Sequence, residues 1–543
     1  MKHKIKLDYM FIKKCVLYVL LFALIGFVIA GIVSSFGKDH TYALAKIPEE
    51  FIPEGSYKNY LKIHSGVPVD ALDSFSLDMN KLKFPKLEED ILVEGITAEI
   101  SADAENFNYI LADERKYQDN TGNYVSALET SDVGSATWEI TIPEAGLYQV
   151  YVNYYPIKQG GSNIERKIII NKDKSNRLYY YFDNLDNVKF PRYWTDKSDI
   201  IQDTMGNDMK PSQVEILNIQ RKRFLRDETG YIIEPYFIYF DKGKNTITFE
   251  SIRESMAIVS IGITSYKKTL TYEEYLELHK GAKVQTLTVP IKIEGQHSNE
   301  RTSPTLYAIS DRTDPKNNPV DPVKIKLNAI GGNKWTIPGD QITWKIDMTN
   351  YESGFYYITL RAKQDSARGM FSTRRVYING EIPFAEANAC KFKYSSDYRM
   401  VTLGSEDEPF LFYLEGGKVN TISLEATLGD YASLISDVQK AIDMLNDLYL
   451  KIIAITTVNP DPYQDYYLYG ENARIQGTLE TLEAAKIILE NVSNRIIELV
   501  GDKSDNDAVI DKMIVQLEKF LAKPRTITQG LSYFSNNISA LGT

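Results

Sequence analysis

The sequence is poor in cysteine and histidine, and both shortages exclude kinds of chemistry. One of its two cysteines, Cys15, lies in an apolar stretch near the N-terminus, so Cys390 has no partner and no disulfide framework can form. The five histidines are scattered, and none stands at a zinc-binding spacing from another histidine or a cysteine. Stability must therefore come from packed cores, and zinc chemistry is not expected.

Basic clusters are also missing beyond the first 14 residues, and the formal net charge is −11. A nucleic-acid partner normally requires a basic face, so none is expected. The sequence has no Gly-x-Ser-x-Gly nucleophile elbow and no phosphate-binding glycine-rich loop. Paired carboxylates such as Glu89 and Asp90 are common among the 73 acidic residues and indicate solvated surface charge. We therefore predict that the chain is not an enzyme.

The longest apolar run, residues 15–36, follows a basic tail at 1–14. A helix of this length spans about 30 Å, which matches a bilayer core. Lysines before it and few after it predict a single-pass cell-membrane protein with this transmembrane signal anchor as its membrane contact. The bulk of the chain would then be extracellular, on a Gram-positive-type cell surface, beginning with a stalk at 37–95. An Ala-x-Ala pattern at 42–45 leaves open a cleaved signal peptide.

The sequence repeats itself. Residues 234–250, EPYFIYFDKGKNTITFE, return at 408–425 as EPFLFYLEGGKVNTISLE. Upstream landmarks also recur in the same order, and in both copies a tyrosine stands 23 residues before an asparagine. The matched landmarks are Trp138 and Trp344, Gly146 and Gly354, Tyr148 and Tyr356, and Asn171 and Asn379. Equal spacing of independent landmarks indicates a duplicated domain.

Both copies have the alternation of antiparallel strands. In GLYQVYVNY, a period of two puts Tyr148, Val150, Val152 and Tyr154 on one face of a strand. We predict that this strand forms a hairpin with the preceding WEITI, and that FIYF forms another with NTITFE.

The turn of that second hairpin contains Gly243 in one copy and Gly417 in the other, and either glycine can adopt a positive φ. Short strands without intervening helices predict two antiparallel β-sandwich domains, at 96–268 and 286–430, joined by a linker helix within 269–285.

After residue 430 the apolar period changes from two to 3.6, for example at Leu434, Val438, Leu445 and Ile452. Further amphipathic segments follow, and Gly501 is placed as the C-cap of one of them. We predict an all-α helical bundle over 431–543.

The tryptophan, the Gly-x-Tyr strand, the asparagine and the late Gly-Lys-x-Asn-Thr-Ile resemble the galactose-binding-like β-sandwich (jelly-roll) of carbohydrate-binding modules. This resemblance implies an oligo- or polysaccharide ligand and a structural Ca²⁺ with Glu99 as a ligand. The order of anchor, sandwiches and bundle is similar to the N-terminal half of large Gram-positive extracellular solute-binding proteins of sugar ABC transporters. It implies sugar transport as the context and a transporter permease as a partner.

The first copy carries an insertion, residues 182–217, that the second lacks. A long loop rich in Asp, Asn and Gly is typical of a functional segment. We place the glycan-binding site there because an aromatic ring can stack on a sugar while carboxylates and amides bind its hydroxyls. The predicted site residues are Arg192, Tyr193, Trp194, Asp203 and Asn207. In the alternative interpretation, Trp194 pins the loop to the sandwich.

The sequence therefore predicts a cell-surface, non-catalytic carbohydrate-recognition protein, as an accessory or N-terminal part of a solute-binding component. A structural or assembly protein that binds other proteins is the alternative. A glycoside hydrolase or lyase fragment is a third hypothesis, and it requires two carboxylates that converge across a cleft.

Overall fold

The computed structural model describes residues 55–65, 82, 84–174, 176–366, 368–405, 408–501, 503 and 507–543. All of them belong to one compact unit, Lys46–Thr543. The predicted tail and apolar segment lie outside the described residues, as does most of the stalk.

The first sandwich begins with a helix and continues with ten strands and a short second helix. In chain order these are α1 (Tyr57–Ser65), β1 (Ile91–Glu94), β2 (Glu99–Ile100), β3 (Asn108–Ile110), β4 (Tyr117–Gln118), β5 (Tyr124–Val125), β6 (Ala127–Thr130), β7 (Ser135–Ile142), β8 (Gly146–Pro156), β9 (Ile164–Ile170), α2 (Arg177–Tyr180) and β10 (Val188–Phe190). The rest of the inserted segment and the last four strands follow. They are β11 (Trp194–Asp196), β12 (Ile201–Gln202), β13 (Asp208–Met209), β14 (Gln213–Glu215), β15 (Arg221–Phe224), β16 (Phe237–Phe240), β17 (Gly243–Arg253) and β18 (Met256–Thr264).

Two sheets face each other in this sandwich. The front sheet has the order β15-β8-β18-β6-β3, with β16 also paired to β8 and β1 to β18, and the back sheet has the order β10-β9-β17-β7-β2. The predicted face of β8 is confirmed, because Tyr148, Val150, Val152 and Tyr154 are all fully buried between the sheets. Trp138 of β7 packs opposite them and is also fully buried.

The two predicted hairpins are wrong. β7 lies in the back sheet and β8 in the front sheet, and β16 and β17 are likewise in different sheets. Each turn therefore carries the chain across the sandwich, and the apolar residues of both strands point into the same core. The predicted positive φ of the turn glycines is confirmed at 96° for Gly243 and 76° for Gly417.

The second sandwich has one helix and eleven strands. They are α3 (Tyr272–Leu278), β19 (Glu300–Arg301), β20 (Ala308–Ile309), β21 (Ala329–Ile330), β22 (Gln341–Asp347), β23 (Gly354–Tyr357), β24 (Thr359–Gln364), β25 (Phe371–Ile378), β26 (Cys390–Lys393), β27 (Ser395–Thr402), β28 (Leu411–Leu414) and β29 (Val419–Thr427). Its back sheet has the order β19-β22-β29-β25-β26 and is extended by β11 and β14 of the inserted segment. Its front layer consists of two separate ribbons, β23 with β28 and β24 with β27.

In the first sandwich, α1 covers the free edge of β16. The hydroxyl of Tyr57 accepts a hydrogen bond from the backbone N–H of Phe237 at 2.8 Å, and that of Tyr60 accepts one from Tyr239 at 2.7 Å. Unpaired strand edges invite association with other chains. The two hydroxyls supply hydrogen-bond acceptors for the free N–H groups of this edge and hold the helix on the sheet.

In the second sandwich, α3 repeats the same arrangement on β28. Tyr272 and Tyr275 accept hydrogen bonds from the N–H groups of Leu411 and Tyr413, each at 2.8 Å. The segment predicted as a linker helix thus protects an edge of the second sandwich.

The C-terminal region is helical. It contains α4 (Tyr431–Thr456), α5 (Thr478–Val500), α6 (Asp507–Ala522), α7 (Thr526–Gln529) and α8 (Leu531–Leu541), which share an apolar core. Gly501 caps α5 as predicted, with φ 88° and its N–H donating to the carbonyl of Ile497 at 2.7 Å. The chain is therefore mostly β-sheet with a C-terminal helical region.

The predicted localisation as a single-pass membrane protein is corrected. Within the described ranges, no helix has the length and apolar character needed to cross a bilayer. The segment 15–36, on which that prediction rested, lies outside those ranges.

Candidate functional site

A cavity of about 1750 Å³ opens in the second sandwich. Its walls include Trp344 and Ile346 of β22 and Leu424 of β29, and the opposite wall is β24 with β27. Residues of α4 and α5, among them Leu434 and Ile496, also line it. The interior therefore has the apolar character that is common in ligand pockets.

The cavity lies where the described part of the second sandwich has no counterpart of a strand of the first sandwich. In the first sandwich, β18 lies in the middle of the front sheet between β8 and β6. In the second sandwich, the chain leaves β29 and enters α4 within four residues, at Tyr431. The part of the chain that the structure describes supplies no strand to the corresponding place.

The polar end of the cavity is formed by Asp311, Lys363 and Tyr398. Lys363 of β24 forms a salt bridge to Asp311 with 3.0 Å between Nζ and Oδ2, and the Tyr398 hydroxyl donates to the same oxygen at 2.9 Å. The neighbouring Arg361 forms a salt bridge to Asp314 at 2.6 Å, and its guanidinium lies 5.6 Å from the centre of the Tyr398 ring. Cations, a carboxylate and an aromatic ring thus converge beside the apolar walls.

The loop that carries Asp311 is held in place by Asn328. The Asn328 side chain donates to the carbonyls of Asp311 and Pro319, both at 3.0 Å, and accepts from the Asp311 N–H at 2.8 Å. These bonds fix the carboxylate over β24 and β27. The site is therefore organised by the loop before any ligand arrives.

Asn317, on the same loop, adds a buried amide beside Tyr398. It lines the cavity and is only 4% exposed, and its side chain interacts with the Tyr398 hydroxyl. The amide therefore belongs to the polar end of the cavity together with Asp311 and Tyr398.

The charge state of the site is set by Asp311. Burial alone would raise the pKa of its carboxyl, but bonds from Thr313, Lys363 and Tyr398 outweigh burial and hold the pKa well below its usual range. Burial and the bond to Asp311 raise the pKa of Tyr398. Near neutral pH the site therefore presents an ionised carboxylate and a protonated phenol.

The two tryptophans of the cavity wall have their indole N–H groups bonded inside the protein. Trp344 donates to the carbonyl of Gly295 and Trp335 to that of Asp340, each at 2.9 Å. Trp344 is half-buried, whereas its counterpart Trp138 is fully buried in the closed first sandwich. The same duplicated residue thus serves as core in one copy and as cavity wall in the other.

The predicted site residue Arg192 lies inside the protein, at 1% exposure. Its guanidinium forms salt bridges to Glu215 and Glu254, the latter at 2.8 Å, and donates to the carbonyls of Ser162 and Ile157 at 2.8 and 2.9 Å. These bonds fasten the base of the insertion to the first sandwich.

Tyr193 and Trp194 are half-buried at the junction of the two sandwiches. The Arg221 guanidinium stacks 3.8 Å from the centre of the Tyr193 ring. Trp194 pairs through its backbone with Arg301 of β19 and with Glu215 of β14. The insertion therefore extends the sheet of the second sandwich.

Asp203 and Asn207 lie at the far end of the insertion and are separate from the aromatic pair. Asp203 accepts hydrogen bonds from the N–H groups of Met205 and Asn207, at 2.8 and 2.9 Å, and so shapes a tight turn. The Asn207 side chain accepts from the N–H of Ile325 at 2.9 Å. The glycan-binding role of the five insertion residues stays a prediction.

The predicted calcium, with Glu99 as a ligand, stays a prediction. Glu99 is exposed on β2, and no group of three His, Cys, Asp or Glu side chains that could hold a metal ion occurs among the described residues. We therefore assign no step or site to Ca²⁺.

The sequence interpretation did not find the polar end of the cavity. Its residues come from a loop and two strands that are up to 87 positions apart, as for Asp311 and Tyr398. One signal was present: after NTISLEATLGD the second copy turns helical, whereas the first continues with the strand MAIVSIGIT. That difference predicts a missing strand and hence an open sandwich.

No family model and no curated protein matches the chain. Among solved structures it is similar to a GH26-CBM35 β-(1,4)-mannanase from Podospora anserina, with 12% identity over 33% of this chain and 28% of that chain and a TM-score of 0.19. It is also similar to a family 35 carbohydrate-binding module from Clostridium thermocellum, with 12% identity over 32% of this chain and 97% of that chain and a TM-score of 0.18. A CBM35 from Cellvibrio japonicus gives 11% identity, 32% and 93% coverage and a TM-score of 0.18. Likeness at this level carries no argument about the function of the chain.

Proposed function

We propose that the chain is a non-catalytic carbohydrate-recognition protein and that the sugar binds at the polar end of the cavity in the second sandwich. The observation that carries this proposal is the convergence of Asp311, Lys363 and Tyr398, with the Asn317 amide beside them, at one end of an otherwise apolar cavity. Sugar hydroxyls both donate and accept hydrogen bonds. A set of neutral and charged groups that offers both donors and acceptors suits such hydroxyls.

The surroundings of Asn317 support a sugar over an anion or a purely apolar ligand. Asp311 neutralises the charge of Lys363, so an anionic ligand would gain little electrostatic attraction there. Apolar wall residues such as Ile346 can pack against the C–H faces of a pyranose ring. The ionised Asp311 cannot donate a proton near neutral pH, and glycoside hydrolysis requires a general acid in addition to a second carboxylate. Binding without hydrolysis is the consistent function.

We further propose that the recognised glycan is destined for a sugar ABC transporter, with this chain as the accessory or N-terminal part of the solute-binding component. This step rests on the sequence resemblance described above. It predicts that the full chain co-purifies with a transporter permease when the two are expressed together. Recovery of the chain without the permease at equal expression would remove the transporter from the proposal.

The test of the sugar site is a glycan array probed with the full chain, followed by calorimetry on the best glycan. We expect Asn317→Leu to weaken binding about tenfold, because one hydrogen bond to a neutral ligand contributes about 1–1.5 kcal/mol. The matched control is Asn350→Leu, since Asn350 is an exposed asparagine outside the cavity lining. The control should bind as the unsubstituted chain does.

The same assay separates this site from the insertion. Loss of binding in Trp194→Ala with normal binding in Asn317→Leu would move the site to the insertion. A folded chain that binds no glycan on the array contradicts the proposal and favours the alternative, an assembly protein whose partners are other proteins.

A further inference from the structure

We infer that the open edge of β24 in the second sandwich accepts a β-strand from a partner polypeptide, in the manner that β18 completes the first sandwich. The partner segment is extended, about nine residues long and apolar at alternate positions. This inference concerns the backbone edge of β24, whereas the proposed sugar site concerns the side chains at the polar end of the same cavity.

The duplication identifies the vacant place. Gly146 corresponds to Gly354 and Tyr148 to Tyr356, so β24 occupies the position of the second half of β8. That half of β8 pairs antiparallel with β18, for example Val152 with Ile261. On the other side, β8 pairs with β16 and β15, as β23 and β24 pair with β28 and β27. One neighbour is therefore repeated in the second sandwich, and the other has no counterpart among the described residues.

Backbone N–H and C=O groups of β24 point toward the position that β18 occupies in the first sandwich. The N–H of Leu403 donates to the carbonyl of Ile358 at 3.0 Å, one residue beyond the ladder of β24 with β27, and this bond places the two residues at a hydrogen-bonded position of the register. Because such pairs alternate along antiparallel strands, Leu360 also bonds toward β27 while the N–H and C=O of Thr359 and Arg361 point away from it. Neither Thr359 nor Arg361 has a backbone partner on that side among the described residues.

The neighbouring strand β23, which precedes β24, already has its edge hydrogen-bonded by another segment of the chain. Phe355 donates its N–H to the carbonyl of Lys283 and accepts at its own carbonyl from the N–H of Gln285, both at 2.9 Å. This segment makes a parallel bridge through Val284 and Phe355 and then turns away. A short strand thus covers the start of the edge, and the cavity begins where that cover ends.

The space beside the edge suits apolar side chains. β18 contributes Met256, Ile258, Ile261 and Ile263 to the first core, and all four are fully buried. In the second sandwich the corresponding volume is the cavity, whose walls include Ile346, Leu360 and Leu424. A strand is the ligand that satisfies both the bare backbone edge and these walls, because main-chain bonds supply affinity and alternate side chains fill the core.

The experiment uses the full chain and a synthetic peptide with the sequence of residues 254–266, ESMAIVSIGITSY. We expect saturable binding and slower hydrogen exchange at the amides of Thr359 and Arg361. Two further peptides carry N-methyl groups on alternate residues, one on the even-numbered positions and one on the odd-numbered positions. One of the two should bind at least tenfold more weakly and the other should bind normally, because only one edge of the peptide strand faces β24.

Equal binding of both N-methylated phases would indicate capture by apolar contact alone and would overturn the inference, as would the absence of binding. Dimers of the chain that resist the peptide would instead make a second copy the occupant. Thr359→Pro, which removes an edge N–H but no bond to β27, should abolish peptide binding. Asn317→Leu should leave peptide binding unchanged, so failure of the sugar site and failure of the strand site remain distinguishable.

Discussion

Tyr60→Phe tests whether the helix hydroxyls stabilise the covered strand edges. The Tyr60 hydroxyl accepts from the Tyr239 N–H at 2.7 Å and the residue is 1% exposed, so the substitution leaves a buried amide without a partner. The ring stays, and with it the packing on Phe182 at 4.8 Å between ring centroids, so no cavity is created. The expected cost is about 1–2 kcal/mol, within the range for an unsatisfied buried group.

The assay is hydrogen exchange at the Tyr239 amide, since a global unfolding curve of a chain with several cores is not a two-state measurement. We expect exchange to accelerate about 5- to 30-fold, which is the equivalent of that free energy. Tyr275→Phe should have the same effect on the Tyr413 amide, because the second sandwich repeats the bond at 2.8 Å. Tyr124→Phe, at a ring that is 43% exposed, is the control. Unchanged exchange at Tyr239 would refute the role assigned to the hydroxyl.

Two further predictions concern buried charges. Arg192→Met leaves Glu215 and Glu254 buried without their cation and should destabilise the insertion by about 3–5 kcal/mol. Limited proteolysis should then cleave the chain rapidly within residues 197–212. An unchanged rate of cleavage there would contradict this prediction. Burial raises the pKa of Asp340 to about 6, so its contribution to stability is complete below about pH 4 and is lost as the pH rises through 6. Asp340→Asn should therefore raise stability by about 1–2 kcal/mol at pH 8 but not at pH 4, allowing for the part of the carboxyl that is exposed. Equal hydrogen-exchange protection of the second sandwich in both chains at pH 4 and at pH 8, after correction for the intrinsic exchange rate, would show that Asp340 does not titrate as described.

The duplicated fold could be predicted from sequence because its landmarks are local. Tyr148 and Asn171 recur as Tyr356 and Asn379 at the same spacing of 23 residues, and the hydroxyls of Tyr148 and Tyr356 each donate to the carbonyl four residues upstream. Asn171 and its counterpart Asn379 both adopt a positive φ, of 50° and 53°. Alternation then fixes which face of each strand is buried.

The pairing of strands could not be predicted in the same way. The turn after β7 has the composition of a hairpin turn, yet β7 and β8 belong to opposite sheets. Turn composition reports the local backbone, whereas pairing depends on strands distant in sequence. The insertion presents the same difficulty, since nothing near Trp194 indicates that its partner is Arg301.

The role of α1 and α3 in covering strand edges could have been predicted from the sequence. SYKNYLKIHSG at 56–66 and TYEEYLELHKG at 271–281 repeat two tyrosines, a leucine, a histidine and a glycine in order. The first segment was predicted as part of the stalk and the second as a linker helix, although the two are copies of one element. The described parts of both copies make equivalent bonds to a strand edge.

The measurement that tests the central claim most directly is a hydrogen-exchange footprint of the full chain with and without its best glycan. The account predicts slower exchange in the loop 311–328 and in β24 and β27, and no change in the insertion at 192–207. Protection confined to the insertion, or no protection anywhere at a saturating glycan concentration, would contradict it.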